Sequence, residues 1–256
     1  AQEIETHFID ALKNNEFKLY LQPKIDIETG KLIGAEALSR WYYKNEKLLP
    51  PMEYIPRLES TGLIVELDLH MFEALCKNIR LSYDSKFVGH VPVSINLSRN
   101  QKDFEGYINK LESIRQKYDI PPNLIEIEIT ESTFTENVAE IKKLINYIHK
   151  FGYRVAMDDF GSGYSNLSAL VECGFDIIKL DKSLCADNAS DKRSYILEAV
   201  INMCNKIGMK VICEGVETKE QAANLLRLGC RSAQGYLYDK PLPVNEFVNK
   251  YMEEEK

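Results

Sequence analysis

Polar and acidic side chains recur in this sequence at the points where predicted strands end. Asp158 and Asp159, for example, follow the apolar segment Val155-Ala156-Met157. One acidic residue at such a place is most often a helix cap or a solvated loop charge, so alone it indicates little. Together these residues indicate a site, because nearly every strand contributes one at the same end. The set is Glu36, Asn96, Glu128, Glu131, Asp158, Asp159, Lys179, Asp181, Glu214, Glu217 and Gln234.

Six carboxylates of this set are expected to converge on Lys179, the one cation that we place among them. Carboxylates so close together cannot all ionise unless cations lie between them, so raised pKa values or bound metal must result, and we favour metal. The six are Glu36, Glu128, Asp158, Asp159, Asp181 and Glu214.

The candidate metal ligands are oxygen atoms, and this indicates which metal ions the site would bind. Carboxylate and amide oxygens suit Mg²⁺ or Mn²⁺, whereas the four histidines and six cysteines match no zinc spacing. Asp158 can bridge two ions while Asp159 binds the second. Paired ions are the usual means of in-line displacement at phosphorus. The residues therefore predict a metal-dependent phosphoester hydrolase.

The elements that must position these residues alternate between strand and helix from about residue 91 onward. Eight candidate strands predict a closed α/β barrel of the TIM (β/α)₈ type, with a doubly wound open sheet as the alternative. The hairpin 17–43 makes the barrel irregular, with one strand antiparallel. We expect one domain over 1–256, with residues 1–16 as a helix leading into the barrel. The strands are predicted at 17–27, 32–43, 91–97, 124–130, 153–158, 175–180, 210–214 and 232–236.

Composition excludes several classes of protein. The 256 residues carry 32 basic and 39 acidic side chains, a net charge of −7, which argues against binding of nucleic-acid polymers or membrane surfaces. No apolar run reaches the ~18 residues of a membrane span, and the N-terminus lacks a signal-peptide core. Without C-x-x-C pairs, the cysteines are expected to be reduced thiols. We therefore expect a cytoplasmic protein, or the cytoplasmic domain of a longer one.

Nine short motifs, in order along almost the whole chain, resemble the EAL domain family. The departures are Leu21 where the family has Tyr, and Asn166 where a second Ser is common; neither is a metal-ligand position. The motifs are Leu21-Gln22-Pro23, Glu36-Ala37-Leu38 with Arg40, 94–98 (SINLS), 128–132 (EITES), 157–165 (MDDFGSGYS), 178–181 (IKLD), 213–218 (CEGVET), 234–236 (QGY) and 241–243 (PLP).

The resemblance implies an enzyme that hydrolyses cyclic di-GMP to linear pGpG with two Mg²⁺ or Mn²⁺ ions, and we expect Ca²⁺ to inhibit it. It also implies roles for residues. The first metal would be bound by Glu36, Asn96, Glu128 and Asp158. The second would be bound by Asp158 and Asp159, with Glu214 as a further candidate. Lys179 would contact the attacking water, so the expected catalytic set is Lys179, Glu36, Asp158, Asp159 and Glu214.

The remaining implied roles concern substrate and loops. Substrate contacts are expected from Gln22, Leu38, Arg40, Asp181 and Gln234. The loop 159–165, with Gly161 and Gly163, is expected to couple metal binding to dimerisation; Glu131 would anchor it and Glu217 would support the site. The resemblance further implies a homodimer, and fusion to sensory or GGDEF domains in a longer protein. Two alternatives remain: a catalytically silent cyclic di-GMP receptor of the same fold, and an unrelated metal-dependent barrel enzyme.

Overall fold

The computed structural model describes residues 2–83, 91–98, 103–136, 138–162, 167–184 and 192–251. Its ten strands form one sheet, and eight of them close into a barrel. The strands are β1 Phe17–Asp26, β2 Leu32–Tyr43, β3 Lys47–Leu49, β4 Val93–Asn96, β5 Ile125–Thr130, β6 Arg154–Phe160, β7 Ile177–Leu180, β8 Lys210–Cys213, β9 Ser232–Ala233 and β10 Leu242–Pro243.

The ring of the barrel runs β1, β9, β8, β7, β6, β5, β4, β2 and back to β1. Strand β1 is antiparallel to both of its neighbours, and the other pairs around the ring are parallel. The predicted α/β barrel with one antiparallel strand is therefore confirmed, and the open sheet is wrong. Strands β3 and β10 pair with β2 and β1 outside the ring.

Helices surround the barrel, and their apolar faces form one large core with the outward faces of the strands. Ala156, Ile177 and Ile212 form a second, separate cluster of buried apolar residues. The helices are α1 Gln2–Lys13, α2 Pro51–Thr61, α3 Ile64–Tyr83, α4 Phe104–Lys117, α5 Glu131–Glu136, α6 Val138–His149, α7 Leu167–Cys173, α8 Lys192–Lys206, α9 Lys219–Arg227 and α10 Val244–Tyr251. Among the described helices, none combines the length and the hydropathy that crossing a bilayer requires.

The sequence pattern did not predict β3, β10 and α5. Each is six residues or shorter, too short for a hydrophobic period to show. Strand β9 is also shorter than predicted. The chain turns away after Ala233, because the carbonyl of Gln234 accepts from the amide of Val216. Gly235 makes that approach possible, since a Cβ there would lie 2.2 Å from the carbonyl oxygen of Val216.

A buried carboxylate ties α1 to the barrel. Glu16 is 2% exposed and accepts hydrogen bonds from His7 Nε2 at 2.8 Å, Trp41 Nε1 at 2.9 Å and the amide of Lys44 at 3.0 Å. Burial would raise the pKa of Glu16, but these donors hold it below its ordinary value. Trp41 in turn packs against Phe17, with ring centroids 4.6 Å apart.

We expect Glu16→Ala to lower the free energy of unfolding by about 2–4 kcal/mol, because the buried indole N–H of Trp41 and the amide of Lys44 lose their acceptor. Urea denaturation of the purified variant measures this loss. The matched control is Asp10→Ala, which removes an exposed carboxylate of α1 and should change stability by less than about 0.5 kcal/mol. Equal effects of the two substitutions would contradict the structural role of Glu16.

Candidate active site

Lys179 lies at the centre of the predicted site, with its side chain fully buried inside the barrel. Its Nζ contacts four carboxylates: Asp158 Oδ1 at 2.8 Å, Glu128 Oε2 at 2.8 Å, Glu214 Oε1 at 2.9 Å and Glu36 Oε2 at 3.2 Å. Strands β2, β5, β6, β7 and the residue after β8 thus deliver one charged group each to the same point.

Adjacent Asp158 and Asp159 can both serve this site because β6 is irregular there. In a regular strand, neighbouring side chains point to opposite faces. The β6–β7 register shifts between Met157 and Phe160, and Asp159 has φ +57°, in the left-handed region that non-glycine residues seldom occupy. The bulge re-aims the side chain. As a result, carboxylate oxygens of Asp158, Asp159 and Glu214 lie within 4.8 Å of one another.

The electrostatics of the cluster leave it short of positive charge. Burial raises the pKa of Asp158 well above its ordinary value and that of Glu214 to about 7, despite the nearby ammonium of Lys179. Glu128 is the opposite case: two lysines outweigh its burial and lower its pKa to about 2. The pKa of Lys179 rises well above normal, because its four carboxylate partners outweigh its own burial.

The donor set fits a hard divalent cation. All its charged ligand atoms are oxygens, which suit Mg²⁺ and Mn²⁺. Asp158 Oδ1 is buried without a hydrogen bond of acceptable geometry, although Lys179 Nζ lies 2.8 Å away. Asn96 uses its Nδ2 to donate to Glu36 Oε1 at 3.2 Å, which orients the two predicted ligands toward each other.

A cavity of about 310 Å³ opens above these carboxylates. Gln234 lies in its wall and donates to Glu36 Oε2 at 2.6 Å and to Gln22 Oε1 at 3.1 Å. Four of the five predicted substrate contacts line this cavity, together with the exposed Glu217: Gln22, Leu38, Asp181 and Gln234. The structure therefore brings these residues and the carboxylate cluster to one opening.

Arg40, the fifth predicted substrate contact, lines a second cavity of about 280 Å³ between β2 and helices α2 and α3. Leu38 lines both cavities, so they adjoin. Arg40 donates to the carbonyl of Ser39 at 2.8 Å, and its guanidinium lies 5.6 Å from the ring centroid of Tyr20. These contacts hold an arginine at the edge of the site.

The loop after β6 is fixed at its beginning. Glu131, which is 1% exposed, accepts from the amide of Gly161 at 2.9 Å. Gly161 has φ +98°, and a Cβ there would meet Leu184. The predicted Gly163, and the rest of the loop from residue 163 to 166, lie outside the described residues.

Sequence reasoning missed a second buried cation, so the expectation that Lys179 is alone among the carboxylates is wrong. Lys24 of β1 is 1% exposed, and its Nζ lies 3.2 Å from Glu128 Oε1 and 3.3 Å from Glu126 Oε2. Its position two residues after Gln22 on the same strand face was the available signal. Sequence reasoning also missed Asp68 of α3, which faces the second cavity.

The sequence profile described as "EAL domain" matches residues 6–241. The chain is 34% identical over 246 residues to "Signaling protein YkoW" of Bacillus subtilis, covering 96% of this chain and 30% of the relative. It is 31% identical over 243 residues to "Cyclic di-GMP phosphodiesterase RocR" of Pseudomonas aeruginosa, covering 94% and 61%. Thus the chain spans about a third of the length of several curated relatives.

Solved structures show the same likeness. The structure described as "PaMucR Phosphodiesterase, c-di-GMP complex" superposes with a TM-score of 0.88 at 30% identity, covering 96% of this chain and 99% of that one. The EAL domain of FimX from Pseudomonas aeruginosa, at 21% identity and a TM-score of 0.83, shows the fold alone.

Asp68 predicts a pH dependence of stability. Burial raises the pKa of this carboxyl to about 7, against hydrogen bonds from Ser98 that lower it. The folded protein therefore keeps a proton that the unfolded chain has released, and stability falls as pH rises from about 4 to 7, by up to about 1.4 kcal/mol per pH unit from this group.

Asp68→Asn should remove this loss. The free energy of unfolding of the variant, relative to that of the wild type, should therefore rise between pH 5 and pH 8. Urea denaturation at both pH values measures the gain. Glu66→Gln, an exposed neighbour on α3, is the control and should shift both values equally. A difference between Asp68→Asn and wild type that is the same at both pH values would contradict the prediction.

Proposed function

The chain belongs to the EAL domain family, and from this membership and its site geometry we propose that it hydrolyses cyclic di-GMP to linear pGpG. The observation that carries the proposal is the convergence of Glu36, Glu128, Asp158 and Glu214 on one buried ammonium. It lies beneath an open cavity, at the strand end where barrel enzymes carry their active sites. Relatives named as cyclic di-GMP phosphodiesterases support the choice of substrate.

The proposed reaction is an in-line displacement. The oxygen of water forms a bond to phosphorus and the water gives up a proton. The bond from phosphorus to the 3′ oxygen breaks, that oxygen takes up a proton, and the ring opens to a 5′-phosphorylated dinucleotide. Mg²⁺ or Mn²⁺, two per site, would activate the water and neutralise charge on the phosphate. Glu36, Asn96, Glu128 and Asp158 would hold one ion, and Asp158, Asp159 and Glu214 the other.

The remaining side chains bind and orient. Lys179 would hold the attacking water through its ammonium. Gln22 and Gln234, which are hydrogen-bonded to each other, would contact the dinucleotide from one wall of the cavity, with Leu38 and Asp181 beside them. Arg40 would bind a phosphate oxygen, since a guanidinium can donate two parallel hydrogen bonds. Glu217 would support the rim.

Several expectations extend the proposal beyond the site. We infer a cytoplasmic domain, in keeping with five buried cysteine thiols among the described residues. The homodimer, the single domain over 1–256 and the coupling role of the loop 159–165 stay predictions. Fusion to further domains is supported by the greater length of relatives such as the bifunctional MucR.

A receptor that binds cyclic di-GMP without cleaving it is the alternative function. One observation favours the enzyme: carboxylate oxygens of Asp158, Asp159 and Glu214 lie within 4.8 Å of one another, as ligands of a metal ion would. We therefore favour the enzyme. Incubation with cyclic di-GMP and Mg²⁺ or Mn²⁺, followed by chromatography, distinguishes them, because a receptor returns the substrate uncleaved.

We predict that Glu36→Gln abolishes pGpG formation while the protein stays folded. The amide keeps the shape of the side chain but loses the charge that would hold a metal ion. Steady-state turnover in saturating Mg²⁺ or Mn²⁺ is the measurement, with circular dichroism to check the fold. Glu46→Gln, an exposed change in the β2–β3 turn, should keep wild-type turnover. Near-normal turnover of Glu36→Gln would show that Glu36 is not a metal ligand.

Lys179→Ala tests whether this lysine is a counter-ion or a catalytic residue. We expect kcat to fall on the order of 10²–10⁴-fold, as for a positioned proton-transfer group. Binding of cyclic di-GMP, measured in Ca²⁺ so that cleavage does not interfere, should persist. Restoration of the rate by excess Mg²⁺ or Mn²⁺, whose charge would replace that of the ammonium, would show that Lys179 acts as a counter-ion only.

A further inference from the structure

Two lysines on different strands contact the carboxylate of Glu128, one at each oxygen. Lys179 Nζ of β7 lies 2.8 Å from Oε2, and Lys24 Nζ of β1 lies 3.2 Å from Oε1. Glu128 itself is fully buried, so bulk solvent does not reach these two oxygens. Each oxygen therefore has its own cation, and the plane of the carboxylate is fixed by two contacts on opposite edges.

We propose that Lys24 is a positioning residue, which holds Oε1 of Glu128 so that Oε2 is presented to the divalent cation. This inference rests on the proposed function, in which Glu128 is a metal ligand. Lys24 is not among the residues that line the cavity, so we infer that it acts through Glu128. Partners outside the ligand set commonly fix the orientation of metal-binding side chains, and their loss weakens metal binding 10- to 100-fold.

The ammonium of Lys24 is itself held in place from below. Ser94 Oγ accepts from it at 2.6 Å, and Glu126 Oε2 lies 3.3 Å away. The other oxygen of Glu126 is 3.1 Å from a terminal nitrogen of Arg154. Charges thus alternate in an unbroken row from Arg154 through Glu126, Lys24 and Glu128 to Lys179, and a displacement of Lys24 is resisted on both sides.

The antiparallel direction of β1 makes the contact between Lys24 and Glu128 possible. Gln22 pairs with Glu36 and Lys24 pairs with Gly34, so Gln22 lies level with the site and Lys24 one layer deeper. Lys24 packs over Gly34, since a Cβ at this position would lie 3.5 Å from Cδ of Lys24, an ordinary van der Waals distance. A long side chain can therefore reach across to β5, beneath the ligand that it positions.

The competing role for Lys24 is that of a counter-charge only. That role predicts a change of Mn²⁺ affinity in the opposite direction. Removing a cation that only neutralises Glu128 would strengthen the attraction of the site for Mn²⁺, because the local field becomes more negative. Removing a positioning residue should weaken Mn²⁺ binding, because the carboxylate is free to turn. The direction of the change in metal affinity therefore separates the two roles.

The test is direct Mn²⁺ binding to the full chain with Lys24→Met, followed by the electron paramagnetic resonance signal of free Mn²⁺. We expect binding weakened 10- to 100-fold. Arg154→Met is the matched control: it removes a cation of the same row that contacts Glu126 but not Glu128, and should bind Mn²⁺ as the wild type does. Unchanged or tighter binding by Lys24→Met would overturn the proposal.

A second variant guards against misfolding, because Lys24→Met leaves Glu126 without its buried partner. Lys24→Met combined with Glu126→Gln removes the charge pair together, and it should show the same weakened Mn²⁺ binding with a native circular dichroism spectrum. If this double variant binds Mn²⁺ as tightly as Glu126→Gln alone, the positioning role is wrong.

Failure of this inference is distinct from failure of the proposed function. Wild-type protein that binds Mn²⁺ and cleaves cyclic di-GMP, beside a Lys24→Met variant with undiminished Mn²⁺ affinity, overturns the role of Lys24 alone. Wild-type protein that binds no Mn²⁺ overturns the proposed function, on which the role rests. A loss confined to stability, with metal affinity and kcat intact, would make Lys24 a structural residue and also overturn the proposal.

Discussion

The ammonium of Lys179 and the carboxylates around it are buried together, and the rest of the barrel is arranged to permit this. Buried ions lose several kcal/mol each in hydration, which close pairing must offset. Strands β2, β5 and β6 and the residue after β8 therefore supply four carboxylates within 3.2 Å of one nitrogen. The balance is incomplete, since burial still raises the pKa values of Asp158 and Glu214. A site with too few cations is one that further cations would stabilise.

The barrel interior differs from the apolar packing that usually fills such folds. Ala156, Ile177 and Ile212 form a small apolar cluster of their own. The row from Arg154 to Lys179 adds alternating opposite charges, each within 3.3 Å of the next. Removing one member of such a row leaves an uncompensated buried charge, whereas removing a matched pair does not. The polar interior is thus a mutually dependent unit.

Net charge adds a further constraint on function. A chain with a net charge of −7 repels a dianionic dinucleotide at long range. Arg40 at the rim supplies one fixed positive group, and Lys179 is occupied by carboxylates. Metal ions at the cluster would reverse the local sign and let the same acidic residues that repel phosphate bind it through the ions. The acidic composition and the proposed metal dependence are therefore two aspects of one design.

The sequence by itself determined the barrel and most of the site. Strand ends follow from local apolar runs, and residues such as Asn96 and Glu214 sit at those ends wherever the strands are placed around the ring. The ring closure of β1 against β9 confirmed that they share one opening. Short elements such as β3 and α5 gave no periodic signal, because their length is set by the contacts they make.

Three features were decided only by the tertiary structure. Asp159 reaches the site through a bulge with φ +57°, which a strict strand alternation forbids and a local pattern cannot reveal. Lys24 reads as an ordinary strand lysine until the antiparallel β1 carries it across to Glu128. Asp68 reads as a helix-surface acid until α3 packs it against residue 98. In each case the deciding interaction joins groups distant in sequence or depends on backbone geometry, and neither is encoded in residue order alone.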